Sequence, residues 1–79
     1  MPSSTARLMV EVKALAFRER MARLSLSQNA LARLLDITSG HLSLILSGRR
    51  RPSPELRARM LRVLRASFDD LFYVVHADA

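Results

Sequence analysis

The sequence predicts an all-α fold of five helices, and three observations carry that expectation. Only two Gly and three Pro punctuate 79 residues. β-branched residues are sparse. Between capping residues, apolar side chains recur at the three- and four-residue spacing of a helix face. The length suits one domain, spanning 1–79, with 1–4 and 76–79 expected as flexible tails. An apolar fraction of 49% is enough for a packed core and is not a disordered composition.

The first helix is expected over Ala6 to Leu24, with Thr5 as N-cap. Leu8, Val12, Leu15, Phe17, Met21 and Leu24 give it a rough apolar face. Ser25-Leu26 breaks it. The second begins at Gln28, because the Ser27 hydroxyl can accept from an unpaired N–H of the first turn. Its apolar face is read as Ala30, Leu31, Leu34 and Leu35. Asp36-Ile37 is a tight connection. Thr38 then caps a third helix, expected from Ser39 to about Ser47. Gly48 stops it, since glycine enters the left-handed conformation at little cost. Arg49-Arg50-Arg51-Pro52 is a basic loop.

Ser53-Pro54-Glu55 starts the fourth helix, with a capping Ser, Pro at the first position and an acid in the first turn. Leu56, Met60, Val63 and Leu64 form its apolar stripe, and Arg57, Arg59, Arg62 and Arg65 read as a solvated face. Ser67-Phe68-Asp69-Asp70 opens a short fifth helix that is expected to reach Tyr73 or Val74. His76 falls in the expected tail.

Composition excludes several functions. Without cysteine there is no disulfide, thiolate metal site or thiol nucleophile. His41 and His76 lack the partners of a metal site, and His41 reads as a flank residue between core and surface. Asp69 and Asp70 suit a helix N-terminus, which accounts for them without catalysis. No Gly-rich phosphate loop and no Ser/His/Asp spacing occurs. The expectation is therefore a non-enzyme with no cofactor and no metal. The longest apolar run, Leu71 to Val75, falls short of the ~20 residues of a membrane span. The N-terminus lacks the basic start and apolar run of a signal peptide, so a cytoplasmic location is expected. The net charge of +6, from twelve Arg and one Lys, points to a polyanionic partner.

Two short helices joined by a tight turn inside a basic five-helix domain suggest a helix-turn-helix. The stretch from Leu26-Ser27-Gln28-Asn29-Ala30-Leu31-Ala32 through Ile37-Thr38 to Ser47-Gly48-Arg49-Arg50 and Pro52 resembles the lambda-repressor/Cro-type, or XRE, family. Phe68-Asp69-Asp70-Leu71-Phe72 resembles that family's closing helix. The resemblance covers about Phe17 to Phe72. It implies a double-stranded DNA-binding transcriptional regulator, a repressor that inserts helix 39–47 in the major groove.

On that helix Leu42, Ile45 and Leu46 face inward, and Ser39, Gly40, Ser43 and Leu44 are the base-facing candidates. Under the resemblance, the phosphate or minor-groove contacts are Gln28, Asn29, Arg33, Thr38, Ser47, Arg49, Arg50 and Arg51. The family places long polar side chains on the reading face. Here short serines and a leucine stand there, so affinity is expected to lean on phosphates and specificity on DNA shape or the arginine loop.

Leu71 to Val75 exceed what one short helix buries. Phe72, Tyr73, Val74 and Val75 are therefore the dimer-contact candidates of an expected homodimer. The same fold also serves as the DNA-binding antitoxin of a toxin pair or as a protein-binding adaptor. A toxin or competing regulator is thus a second partner class, and a membrane surface is not expected.

Overall fold

The computed structural model describes residues 7–77. Among them are five helices, α1 (Ala14–Arg23), α2 (Gln28–Leu35), α3 (Ser39–Leu46), α4 (Pro54–Leu64) and α5 (Phe68–Leu71). Two strands flank the helices, β1 (Arg7–Val12) and β2 (Phe72–Ala77). They pair antiparallel in a two-stranded ribbon, in register from Arg7 opposite Ala77 to Val12 opposite Phe72.

The ribbon corrects the all-α expectation. The stretch read as the first half of a long first helix is β1, and α1 starts only at Ala14. The physical reason is long-range. Val10 and Val12 pack well on a pleated strand, and their partners Val74 and Phe72 lie at the other end of the chain. Such cross-strand pairing outweighs weak local propensity. The break at Lys13 is pinned from the same quarter, because its N–H donates to Leu71 O at 2.8 Å and its Nζ to Asp69 O at 2.8 Å. The fifth helix ends at Leu71, short of Tyr73, because Phe72 onward is strand. His76 and Ala77, expected in a tail, are the last residues of β2. Residues 1–4, the Thr5 cap and the Ala6 start expected for the first helix lie outside the described residues, as do 78–79.

Start signals and helices agree closely at α2, α3 and α4. Ser27, Thr38 and Ser53 each accept a third-residue N–H, from Ala30, His41 and Leu56 at 3.0, 3.0 and 3.1 Å. At α5 the Asp70 carboxylate reaches back instead. It accepts from the Ser67 N–H and hydroxyl, each at 2.9 Å. Those two bonds, backbone first, hold its pKa below the ordinary 3.8, with Arg20 and Lys13 adding to the shift.

Stop signals share one geometry that the sequence shows at only one of four sites. Ser25, Asp36, Gly48 and Arg65 all have positive φ. In each case the next residue's N–H bonds back to the helix, Leu26 to Met21 O, Ile37 to Ala32 O, Arg49 to Leu44 O and Ala66 to Leu61 O. This is the Schellman closure. Leu26, Ile37 and Ala66 also tuck against the core, which offsets the cost of a left-handed non-glycine residue.

One core joins all five helices and the root of β2. Its fully buried side chains include Phe17, Leu31, Leu35, Leu42, Ile45, Met60, Leu64 and Phe72. Phe72 meets Phe17 edge-on at 5.6 Å and Phe68 at 5.4 Å. Three positions expected on apolar helix faces lie outside it, Leu8 at 67%, Leu15 at 72% and Leu34 at 54% exposure. The buried face of α2 is Leu31, Ala32 and Leu35. Ala32, 2% exposed, sits on the helix that packs on α3 and α4. Ala32→Leu is therefore expected to overpack this junction and lower stability by about 1–3 kcal/mol in a urea melt. A neutral result would mean that the helices have room to spare there.

Candidate nucleic-acid interface

On α3, successive residues turn by about 100°, so Ser39, Gly40, Ser43, Leu44 and Ser47 share an arc of about 140°. All five are exposed, while Leu42, Ile45 and Leu46 on the opposite arc are buried. Ile45 and Leu42 anchor the helix completely, so the exposed arc is rigidly presented. It is also shallow. The Ser47 hydroxyl donates to Leu44 O at 2.9 Å, and a Cβ built on Gly40 meets nothing within 4 Å. Leu44 is 37% exposed among these polar neighbours. His41 is half-buried on the flank, between arc and core.

Around this arc the described residues place the other candidates in two groups. Gln28, Asn29 and Arg33 belong to α2, with Gln28 half-buried at its first turn and the other two exposed. Thr38 is exposed, but its Oγ1 is occupied in capping α3. Arg49, Arg50 and Arg51 follow the Gly48 stop, and all three are exposed. The N–H groups of Arg49 and Arg50 both donate to Leu44 O, at 3.0 and 3.2 Å. The start of the loop is thereby folded back over the last turn of α3.

The three arginines are not equivalent. Arg51 is engaged, its Nη2 and Nε donating to Glu11 Oε2 at 2.5 and 3.1 Å. Arg49 and Arg50 make no side-chain hydrogen bond among the described residues. The Arg51–Glu11 pair is half-exposed, at 51% and 24%, so it is weak and open to exchange. It ties the loop after α3 to strand β1.

Three further arginines hold the fold. Arg59 Nη1 donates to Leu35 O at 2.6 Å, at the end of α2. Arg20 donates to Leu64 O and Arg65 O at 2.7 and 2.6 Å, at the end of α4. Arg57 donates to Pro52 O at 3.2 Å. Each places a cation at a carbonyl that a helix end or bend leaves without a partner. Their sequence separations run from 5 to 45 residues, and only the Arg57 contact is local enough for a spacing rule to find.

A groove of about 230 Å³ lies between α1 and α5, lined by Ala16, Glu19, Arg20, Arg23, Asp70 and Leu71. It takes no residue from α2 or α3. Among the described residues no group of His, Cys, Asp and Glu is placed to hold a metal ion, and no helix is long and apolar enough to cross a membrane. Of the dimer candidates, Phe72 is fully buried, whereas Tyr73 and Val74 are 47% and 44% exposed and Val75 is half-buried.

Comparison with known proteins gives one match. A family model described as a helix-turn-helix domain covers residues 14–72. No curated protein and no solved structure matches the chain.

Proposed function

Because the chain belongs to the helix-turn-helix domain family, we propose that it is a sequence-specific regulator of transcription that reads double-stranded DNA with α3. The single observation that carries this reading is the rigid exposed arc of α3 set between two arginine-bearing elements. Its width fits the major groove. The matched stretch ends at Phe72 and so includes α2, α3 and the arginine loop.

In this reading Ser39, Gly40, Ser43 and Leu44 face base edges. Serine hydroxyls bond to several bases, and Leu44 suits a thymine methyl. Short side chains on a helix without Cβ at Gly40 let the backbone approach the base pairs closely. Arg49 and Arg50 contact phosphate or a narrow minor groove. Gln28, Asn29 and Arg33 contact the adjacent phosphates, with the α2 N-terminus favouring an anion. Thr38 and Ser47 border the groove at either end of α3. The protein acts as a homodimer on half-sites about 34 Å apart and represses by occupying the operator.

Selection of random duplex DNA by the purified protein, followed by sequencing, tests this directly. Enrichment of an inverted repeat is expected. A folded protein that enriches nothing at moderate salt would overturn the reading. Ser43→Ala and Leu44→Ala are each expected to change the preferred base at one position per half-site, by about 1–3 kcal/mol of discrimination. If neither alters the selected motif, α3 is not the reader.

The exposed Leu34 and Leu44, at 54% and 37%, favour one second reading, a protein-binding adaptor or the DNA-binding antitoxin of a toxin pair. A stable complex with a copurifying protein, formed without DNA, is its signature.

A further inference from the structure

Two rows run side by side along the exposed arc of α3. Residues four apart stack on one face of a helix, so Ser39 and Ser43 make one row and Gly40 and Leu44 the other. The first row offers only hydroxyls. The second offers one isobutyl group, 37% exposed, beside an open place, because a Cβ built on Gly40 meets nothing within 4 Å. Side chains on a helix lean toward its N-terminus, so Leu44 leans toward the place that Gly40 leaves open. The result is a shallow apolar notch, walled by Leu44, floored by the backbone at Gly40 and edged by Ser39 and Ser43. Its base is fixed, since Leu42 and Ile45 of the same turns are fully buried.

We infer that this notch takes the C5-methyl group of a pyrimidine in the major groove, whether thymine or 5-methylcytosine carries it. The inference rests on the DNA reading proposed above and names the base chemistry that α3 selects. From Ser39 to Ser47 the helix has no amide, guanidinium or carboxylate side chain, the groups that form base-specific pairs. A hydroxyl both donates and accepts. Ser39 and Ser43 therefore bond to the O4 of thymine or to the N4 amino group of cytosine and separate the two poorly. The one apolar group that bases present in the major groove is a methyl at C5. Leu44 is the side chain on the arc that tells a base carrying this methyl from a base without it. The arginine loop folds back onto Leu44 O, so phosphates held by the exposed Arg49 and Arg50 set the groove close to the notch. Methylating a C·G pair supplies the missing methyl at the same ring position. Cytosine methylation thereby becomes a signal that α3 reads.

The test replaces each thymine of the selected duplex in turn by deoxyuridine, which removes the methyl and nothing else. At one position per half-site this should weaken binding about fourfold or more, the factor for one methyl-sized apolar group taken out of water. At that position a C·G pair should bind at least as weakly, and 5-methylcytosine paired with guanine should recover most of the loss. Leu44→Ala should bind the thymine and uracil duplexes alike. Gly40→Ala fills the notch with a methyl of the protein's own and should lose the same preference. It keeps the fold, because alanine favours a helix over glycine and nothing stands where its Cβ goes. Both variants are checked for native helicity and for an unchanged salt slope. A preference for thymine over uracil that survives in folded Leu44→Ala overturns the inference. So does a 5-methylcytosine duplex bound no better than the unmethylated one. A selected motif that holds no thymine, or whose thymines all tolerate uracil, also overturns it, and is the result expected if Leu44 serves a protein partner. In those cases the enriched motif leaves the DNA reading standing. A folded protein that enriches no duplex overturns both.

Discussion

Replacing Arg49 and Arg50 together by alanine is expected to weaken DNA binding on the order of 60-fold at 0.1 M salt. Each phosphate contact contributes about 0.9 to the slope of log affinity against log salt, so two lost contacts remove about 1.8 from the slope. Extrapolated from 1 M, where counterion release contributes nothing, that difference gives the stated factor at 0.1 M. The loss should be nearly uniform across sequences, because phosphates carry no base information. Arg51→Ala alone is expected to do less than either neighbour, since its guanidinium is shared with Glu11 Oε2. Glu11→Gln supplies the converse. It releases Arg51 and should steepen the slope by up to about 0.9. The measurement is a titration of the selected duplex at four or five salt concentrations. An unchanged slope in the double variant would remove the arginine loop from the interface, and an unchanged slope in Glu11→Gln would leave Arg51 a strut and not a ligand.

Much of this site was legible in the chain itself, and the rest was hidden for definite reasons. Ser27, Thr38 and Ser53 were readable as caps because a cap acts over three residues. The exposed arc of α3 was readable because helical periodicity fixes it once the helix is placed. Gly48 announced its left-handed turn, but Ser25, Asp36 and Arg65 adopt the same conformation with nothing in their identity to say so. Their turns are held by the burial of Leu26, Ile37 and Ala66 against the core, a tertiary fact. The same holds for β1. Its residues fit a helix or a strand equally well, and only pairing with β2 decides. Glu11 and Arg51 lie 40 positions apart, and no local pattern joins them. Arg59 read as solvated charge, yet it serves the end of α2, as Arg20 serves the end of α4.

Phe72→Ala is expected to cost about 3–5 kcal/mol, the range for emptying a fully buried aromatic site. A domain of 79 residues holds about 4–12 kcal/mol in total, so this one change takes a large share and can leave the variant partly unfolded at 37 °C. In urea the midpoint should fall by about 3 M or more, taking a slope near 1 kcal/mol per M for so small a chain. Phe72 has no exposed surface and packs on both Phe17 and Phe68. It also begins β2 where α5 ends, so its loss loosens the ribbon at the root. Its neighbour gives the contrast. Tyr73 points to the opposite face and is 47% exposed, so Tyr73→Ser should shift the same melt by much less, about 1 kcal/mol or below. A pair of equal shifts would mean that β2 is not registered as described. The contrast separates the two parts of the apolar run from Leu71 to Val75, whose start closes the core while Tyr73 and Val74 stand half-exposed beyond it.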